Sequence, residues 1–283
     1  MNSVPCFPQL DSDRLLSTLC IFDDLSRILF SSQSAGRPNS LSIAEIATIS
    51  LIRAQYRIAT LKDLYRLLAQ KYATEFHLPA YKNFVTSMNR YAPHLLMMIH
   101  FLVQAYQKNT GMIKIVDSTP LPVCHNMRIN GHKVMKSLAT RSKSTMGWFY
   151  GLKLHLLIDL KNHMICVKFT TANVGDRTVL TSWLTDLYNS IIIADKGYVS
   201  AKLEKKAHKN NNILLTSVKK NMKKLATPLH IALLNVRIRI ESIFSVLKTR
   251  CGLVTSLPRS VRGYLSHYIR TIFAHLFRSL LIS

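Results

Sequence analysis

Two short apolar runs in the second half of the chain each end in an aspartate. The run MIKIVD ends at Asp117 and the run SIIIAD ends at Asp195. Runs of this length, rich in isoleucine and valine, are typical of strands buried inside a sheet. Because the backbone is fixed where such a strand ends, a carboxylate there is held where a ligand can approach. The two runs therefore predict neighbouring strands whose aspartates emerge together.

A third acid has a different setting, inside a basic stretch with the apolar spacing of a helix. In NVRIRIESIFSVLK, Arg237 lies one turn before Glu241 and Lys248 lies two turns after it, so the three share one face. A surface ion pair would explain an ordinary glutamate on such a helix, but Glu241 is the last acid in the chain. We therefore predict that Glu241 joins the two aspartates, with Arg237 and Lys248 as phosphate contacts beside them.

Three clustered carboxylates predict a site for divalent cations. Carboxylates brought close together repel one another, and a hard cation with oxygen ligands relieves that repulsion. A pair of such ions about 3.5–4 Å apart can hold the attacking and leaving oxygens of a phosphoryl displacement. Asp117, Asp195 and Glu241 are thus both the predicted catalytic residues and the predicted metal ligands.

The balance of charge indicates the class of partner. Lys and Arg number 38 against 14 acids, for a formal charge of +24, and a field of this sign attracts DNA or RNA. An anionic membrane surface is the alternative. The most apolar segment, LLMMIHFLVQAY, is shorter than the ~20 residues that span a bilayer, so we expect no membrane span. We favour nucleic acid over a membrane surface as the partner. The N-terminus lacks the features of a signal peptide and the five cysteines are scattered, which favours the cytoplasm.

Basic residues suited to a phosphate backbone recur between the first predicted strands and in one later loop. We interpret them as phosphate contacts because they lie in patterned segments rather than in a terminal tail. Trp148 and Tyr150 could each stack on an unpaired base, although we expect both to pack in the core. The remaining candidates for DNA contact are Lys133, Lys136, Arg141, Lys143, Lys219, Lys220, Lys223 and Lys224.

The period of the apolar residues divides the chain in two. Residues 1–108 follow helical spacing, and the tight connection RIA between two of the helices indicates either a DNA-binding helix-turn-helix or an ordinary helical hairpin. Residues 109–283 alternate strands with helices, which predicts an α/β (α+β) domain with a mixed sheet. The expected helix N-caps are Asp11 or Ser12, Ser40 or Ser42, and Thr60.

Four other acids in residues 109–283 are explained by structural roles or by exposure to solvent. Asp159 lies in the turn-like segment DLKNH between two predicted strands, and Asp176 lies at the start of a predicted helix. Asp186 and Glu204 lie on predicted helices, where we expect them to be solvated. None of these four is a predicted catalytic residue.

A series of motifs in one order extends over almost the whole chain. FDDLSRIL and LSIAEIATISLIRAQYR precede VDSTPLPVCHNMRI, HKVMKSLATRSKSTMGWFYGLKLHLLID, NVGDR, ADKGY, LLTSVKKNMKK and RIRIESIFSVLK. In these motifs the chain resembles the DDE transposases of bacterial insertion sequences, and most closely the family numbered nine-eight-two.

This resemblance implies an RNase H-like catalytic core with a helical N-terminal region. It places the three metal-binding acids of the family at Asp117, Asp195 and Glu241. It also implies Mg²⁺ as cofactor, for which Mn²⁺ can substitute, DNA as substrate, and a homo-oligomer assembled on DNA. The expected reaction is cleavage at the element's ends followed by strand transfer into target DNA.

Two positions depart from the pattern. A wider group of insertion-sequence transposases carries a Tyr–Arg–Glu–Lys signature, in which Leu234 replaces the tyrosine here. Gly175 stands in NVGDR where a second acid is expected. Two other functions are compatible with the same residues: an RNase H-like nuclease or resolvase that cuts without joining, and a catalytically inactive DNA-binding descendant.

Overall fold

A computed structural model describes residues 11–30, 40–145, 147–216, 228–278 and 280. In chain order its helices and strands are α1 (Ser12–Leu29), α2 (Ile43–Gln55), α3 (Leu61–Lys71), α4 (Tyr81–Arg90), α5 (Ala92–Lys108), β1 (Ile113–Pro122), β2 (Thr140–Ser144), β3 (Gly147–Asp159), β4 (Met164–Thr171), α6 (Asp176–Trp183), β5 (Ile191–Ala194), α7 (Ala201–His208), β6 (Ile213–Thr216), α8 (Pro228–Asn235), α9 (Ile238–Thr249) and α10 (Val261–Phe277). No helix of the described segments is long and apolar enough to cross a membrane.

Contacts along the chain divide the described residues into two units. The sheet unit comprises Leu102–Val246 and Val254–Ser256. The helical unit comprises the described residues up to Phe101, Leu247–Leu253 and those from Leu257 onward. The last helix of the chain, α10, therefore belongs with the N-terminal helices, while α5 and α9 each contribute residues to both units.

Side-chain caps begin the first helices of the helical unit. Asp11, Ser42 and Thr60 are the N-caps of α1, α2 and α3, which confirms the capping predicted from the sequence. Ser42 forms a full capping box, because its hydroxyl accepts from the Glu45 N–H while Glu45 accepts from the Ser42 N–H. Helix α2 is buried on nearly every side and packs against α1 and α10, so it forms the centre of this unit.

A buried hydrogen-bond network of Arg53 and His267 joins α2 to α10 within the helical unit. The Arg53 guanidinium donates to the carbonyl oxygens of Ile58 (3.0 Å) and Ala59 (2.8 Å) and to His267 Nδ1 (3.1 Å). His267 Nε2 in turn donates to the Gly252 carbonyl oxygen at 2.8 Å. The imidazole therefore accepts at one nitrogen and donates at the other, which requires its neutral form.

The sheet unit is built around β1, which pairs on both sides. On one side β1 is antiparallel to β3, and on the other it is parallel to β5, which is parallel to β6. Strand β3 also pairs with β4 and β2, both antiparallel. The sheet is thus mixed, as the sequence predicts. Gly151 lies where β3 meets Pro122 of β1, and a Cβ there would overlap the Leu121 carbonyl oxygen.

One face of the sheet packs on α6 and α7. Val116 of β1, Leu157 of β3 and Ile192 of β5 form a buried cluster with residues of these helices. Burying apolar area of this kind is the main stabilising contribution to a sheet with a covering helix layer. The cluster includes Val116 and Ala194, so it holds the backbone directly before Asp117 and Asp195 in place.

Two elements differ from the sequence predictions. Strand β2 was not predicted, because its residues TRSKS lack an apolar face and it forms by pairing with β3. The stretch NVRIRIESIFSVLK has the spacing of one helix, but the structure breaks it between α8 and α9, at Val236 and Arg237. Ile240 and Phe244 on α9 are buried, as expected for the apolar face of this helix.

Candidate active site

The three predicted acids are contributed by three separate elements of the sheet unit. Asp117 lies within β1, Asp195 directly follows β5, and Glu241 lies in the first turn of α9. The prediction that Asp117 ends its strand is wrong, because β1 continues to Pro122 by pairing with β3. The parallel neighbour β5 stops at Ala194, and this leaves Asp117 without a strand beside it on the side where Asp195 emerges.

Arg237 is the common partner of the three acids. Its Nη1 lies 3.3 Å from Asp195 Oδ1, and its Nη2 lies 3.4 Å from Asp117 Oδ2 and 3.6 Å from Glu241 Oε1. The first two contacts are hydrogen bonds and the third is an ion pair. Because the helix breaks before Ile238, Arg237 directly precedes the first residue of α9 and lies one turn before Glu241. Three carboxylates therefore share one guanidinium.

The carboxylates differ in how they are held. Asp117 Oδ1 accepts from the Ser118 N–H at 2.8 Å, and Asp195 Oδ1 accepts from the Lys196 N–H at 2.7 Å. The exposed fraction of the side chain rises from 21% for Asp117 to 42% for Asp195 and 59% for Glu241. Burial raises the pKa of the Asp117 carboxyl, although the Ser118 N–H and Arg237 oppose this change. A desolvated carboxylate of this kind gains most from an added cation.

The donor chemistry of the site fits a hard divalent cation, since such ions take carboxylate oxygens as ligands. Across the described residues, however, no three His, Cys, Asp or Glu side chains are grouped closely enough to hold a metal ion together. The acids instead gather around the Arg237 guanidinium. In this arrangement a cation of the protein itself, the Arg237 guanidinium, is the shared partner of the three carboxylates.

Sequence reasoning missed the phenol of Tyr198, three residues after Asp195. Tyr198 is only 2% exposed, and its hydroxyl has no hydrogen-bond partner among the described residues. Burial raises the pKa of this phenol, and the nearby carboxylates of Asp176, Asp117 and Asp195 raise it further. The Tyr198 hydroxyl therefore stays protonated and uncharged beside the acids. The motif ADKGY contains it, but nothing in that motif indicates burial.

Asp176 lies in a second polar network behind the site. Its Oδ1 accepts from Lys153 Nζ at 3.1 Å and lies 3.7 Å from His155 Nδ1. His155 Nε2 is 2.8 Å from the Thr170 hydroxyl, and burial lowers the pKa of this histidine to about 4 despite the opposing effect of Asp176. Asp176 is also the first residue of α6, so its predicted position at a helix start is confirmed, while the N-cap is Gly175 and no side chain caps the helix.

The other acid with a predicted structural role behaves as expected. Asp159 ends β3 and accepts from the Lys161 N–H, the His163 N–H and His163 Nδ1. It therefore closes the turn between β3 and β4, at the end of the sheet away from the site acids, as the pairing of Lys114 with Asp159 shows.

The predicted phosphate contacts are distributed unevenly. Lys133, Lys136, Arg141 and Lys143 are exposed on the sheet unit. Lys248 belongs to the part of α9 in the helical unit, and burial lowers its pKa. Four further candidates lie outside the described residues: Lys219, Lys220, Lys223 and Lys224.

The two aromatic residues near β2 have different environments. Tyr150 is buried, as predicted, but the prediction of core packing is wrong for Trp148, which is 52% exposed. The Arg141 guanidinium carbon lies 4.9 Å from the centre of the Trp148 ring, a cation–π distance. Residues two apart on a strand share one face, so alternation along β3 does not separate the two. The ring of Tyr150 contacts that of His132, with 6.3 Å between the ring centres.

Comparison with known proteins identifies the family. The model described as "Transposase DDE domain" matches residues 107–261, more than half of the chain. The chain therefore belongs to the transposase DDE domain family. It is a DNA transposase of the DDE type, an enzyme of phosphoryl transfer. Enzymes of this class generally depend on divalent metal ions. No curated protein matched the sequence.

The fold is similar to that of a solved transposase. The piggyBac transposase, in its synaptic complex with hairpin DNA, superposes with a TM-score of 0.51 at 12% identity, over 94% of this chain and 72% of that chain. The core is therefore RNase H-like, as expected. The Mos1 transposase, in a paired-end complex with the left transposon end, gives a TM-score of 0.25 at 11% identity, over 98% and 90% of the two chains, a likeness too low to bear on the fold.

Proposed function

We propose that the chain is the transposase of a bacterial insertion sequence of the family numbered nine-eight-two. It cuts the ends of its element and joins the freed 3′-ends to target DNA. The observation that carries this proposal is the approach of three carboxylates, from β1, the end of β5 and α9, to one guanidinium. The order of the sequence motifs and the formal charge of +24 support it.

We propose Asp117, Asp195 and Glu241 as the catalytic acids and as the ligands of Mg²⁺, for which Mn²⁺ can substitute. When bound, such ions activate a water or a 3′-hydroxyl and stabilise the leaving oxygen. The sheet holds the two aspartates, and the first turn of α9 holds the glutamate. Arg237 neutralises part of their charge and contacts a DNA phosphate once it leaves them.

We propose that the DNA backbone is bound by basic residues around the site and by the helical region. Residues 1–108 contribute end binding and residues 109–283 contribute catalysis. Within the first region, α2 and α3 are the candidate helix-turn-helix, with the partly exposed α3 as the helix that faces DNA. The proposed phosphate contacts are Arg237, Lys248, Lys133, Lys136, Arg141, Lys143, Lys219, Lys220, Lys223 and Lys224.

The proposed setting is the bacterial cytoplasm, with copies of the chain assembled on DNA. Two element ends must be held together before they are joined, and a homo-oligomer achieves this with one kind of chain. A membrane is not part of the proposal.

Strand transfer tests the proposed function directly. The purified protein is incubated with Mg²⁺ or Mn²⁺ and labelled DNA that carries the element's own ends, beside Asp195→Asn and Glu241→Gln variants. An Asp186→Asn variant is the matched control, because it removes an exposed carboxylate outside the site. We expect metal-dependent joined products that the control retains and the site variants lose, while all variants still bind DNA.

Other outcomes distinguish the alternatives. Cutting without joining would favour a nuclease or resolvase. DNA binding without any reaction would indicate an inactive descendant. Joined products from Asp195→Asn would contradict the assignment of the site.

A further inference from the structure

A cleft between α6 and α7 of the sheet unit is lined by positive charge. Its volume is about 850 Å³, and half of its lining residues are arginine or lysine. No acid is among the described residues that line it. The cations are Arg177, Lys202, Lys205, Lys206 and Lys209.

Two of these cations are held by the fold and the others face solvent. Arg177 Nε donates to the Gly197 carbonyl oxygen at 2.8 Å, and Lys206 Nζ donates to the Thr181 carbonyl oxygen at 2.8 Å. Lys202, Lys205 and Lys209 are exposed. They recur every three or four residues from Lys202 in α7 to its C-cap, Lys209, so they form a row along one face of the helix.

The length of this row suits a polymer of phosphates rather than a single small anion. At a rise of about 1.5 Å per residue, Lys202 and Lys209 are separated by roughly 10 Å along the helix. The phosphates of one DNA strand advance by about 3.4 Å per nucleotide along the duplex axis. The row therefore spans about three nucleotide steps.

The helix ends add positive partial charge at the same place. Residues from the first turns of both α6 and α7 line the cleft. The N-caps of these helices, Gly175 and Ser200, make no side-chain hydrogen bond to the helix end. Uncapped N–H groups at a helix start favour an anion, and they act here beside one acid in each first turn, Asp176 in α6 and Glu204 in α7.

The cleft is linked to the loop that follows Asp195. Arg177, which lines the cleft, donates to the carbonyl oxygen of Gly197, two residues after Asp195. A strand bound at the acids could thus continue into the cleft without leaving the sheet unit. We propose that this cleft binds the phosphodiester backbone of DNA as it leaves the Asp195 side of the site. The inference rests on the proposed DNA substrate.

Salt-dependent binding tests the cleft. The variant Lys202→Ala/Lys209→Ala is compared with the matched variant Lys108→Ala/Lys161→Ala, which removes two exposed lysines elsewhere in the sheet unit. Affinity for a labelled duplex is measured by fluorescence anisotropy at several salt concentrations. Each lost phosphate contact lowers the slope of log affinity against log salt by about 0.9. We expect a slope smaller by about 1.8 for the cleft variant and an unchanged slope for the control.

The result separates this inference from the proposed function. If the wild-type protein binds DNA and the two variants have the same slope, the cleft is not a DNA-binding site, although the proposed function stands. If the wild-type protein does not bind DNA at all, the proposed function fails and the cleft inference fails with it. Equal melting temperatures of all three proteins establish that the substitutions leave the fold intact.

Discussion

Arg237 Nη1 lies 3.3 Å from Asp195 Oδ1 and makes the arginine an internal counter-ion of the acidic site. Replacing Arg237 by alanine leaves the carboxylates without their cation. Because the acids are partly exposed, we expect the metal-free protein to lose about 1–2 kcal/mol of unfolding free energy. Mg²⁺ should then raise the melting temperature of the variant more than that of the wild type, since the guanidinium no longer competes for the carboxylates.

The control for this prediction is Arg239→Ala, which removes an exposed arginine two residues away. Thermal unfolding of all three proteins, with and without Mg²⁺, provides the comparison. An equal Mg²⁺ response of Arg237→Ala and the wild type would show that the arginine and the metal do not compete.

The buried imidazole of His267 should make the protein sensitive to acid. Burial, together with Arg53 and Arg270, lowers the pKa of His267 from 6.5 to about 3. The unfolded chain therefore binds a proton between these pH values that the folded chain excludes. Stability is fully present above about pH 6.5 and falls as the pH drops towards 3, by up to about 1.4 kcal/mol per pH unit.

Replacing His267 by glutamine, which can still accept from Arg53 and donate to Gly252, should reduce this loss. Chemical denaturation at pH 7, 6 and 5 measures it. His100→Gln, at an exposed position, serves as control. A wild-type pH dependence in His267→Gln would mean that other groups cause the acid sensitivity.

Gly151 should not tolerate a side chain. A Cβ at this position would overlap the Leu121 carbonyl oxygen where β3 pairs with β1. We expect Gly151→Ala to destabilise the protein by about 1–3 kcal/mol, the usual cost of overpacking. At Gly111 a Cβ meets nothing within 4 Å, so Gly111→Ala should leave the denaturation midpoint nearly unchanged. Equal midpoints of the two variants would refute the close approach of the strands.

Tyr198 should be replaceable by phenylalanine. Its buried hydroxyl has no partner in the described part of the chain, and an unsatisfied buried hydroxyl costs about 1–3 kcal/mol. Tyr198→Phe should therefore keep or increase the melting temperature and retain strand transfer. In Tyr65→Phe, by contrast, a hydrogen bond to the Pro79 carbonyl oxygen is lost, and stability should fall. A loss of activity in Tyr198→Phe at unchanged stability would instead give the hydroxyl a role in the reaction.

Local chemistry made several elements predictable. The N-caps Ser42 and Thr60 could be identified because a capping side chain contacts only the next turn of its own helix. The apolar runs before Asp117 and Asp195 indicated buried strands for a similar reason. By contrast, β2 has no apolar face of its own, and the exposure of Trp148 depends on which elements cover β3. Neither the strand β2 nor the exposure of Trp148 could be predicted from the local sequence pattern.

The sequence by itself determined the charge balance of this protein, with few acids and an excess of positive charge. It also determined the secondary-structure elements that carry Asp117, Asp195 and Glu241. These follow from interactions between residues that are near in the chain. Only the tertiary structure decided that Arg237 meets acids 42 and 120 residues away, and that the cations of α6 and α7 line one cleft. Such contacts depend on strand pairing and on a helix break, which burial and long-range packing control.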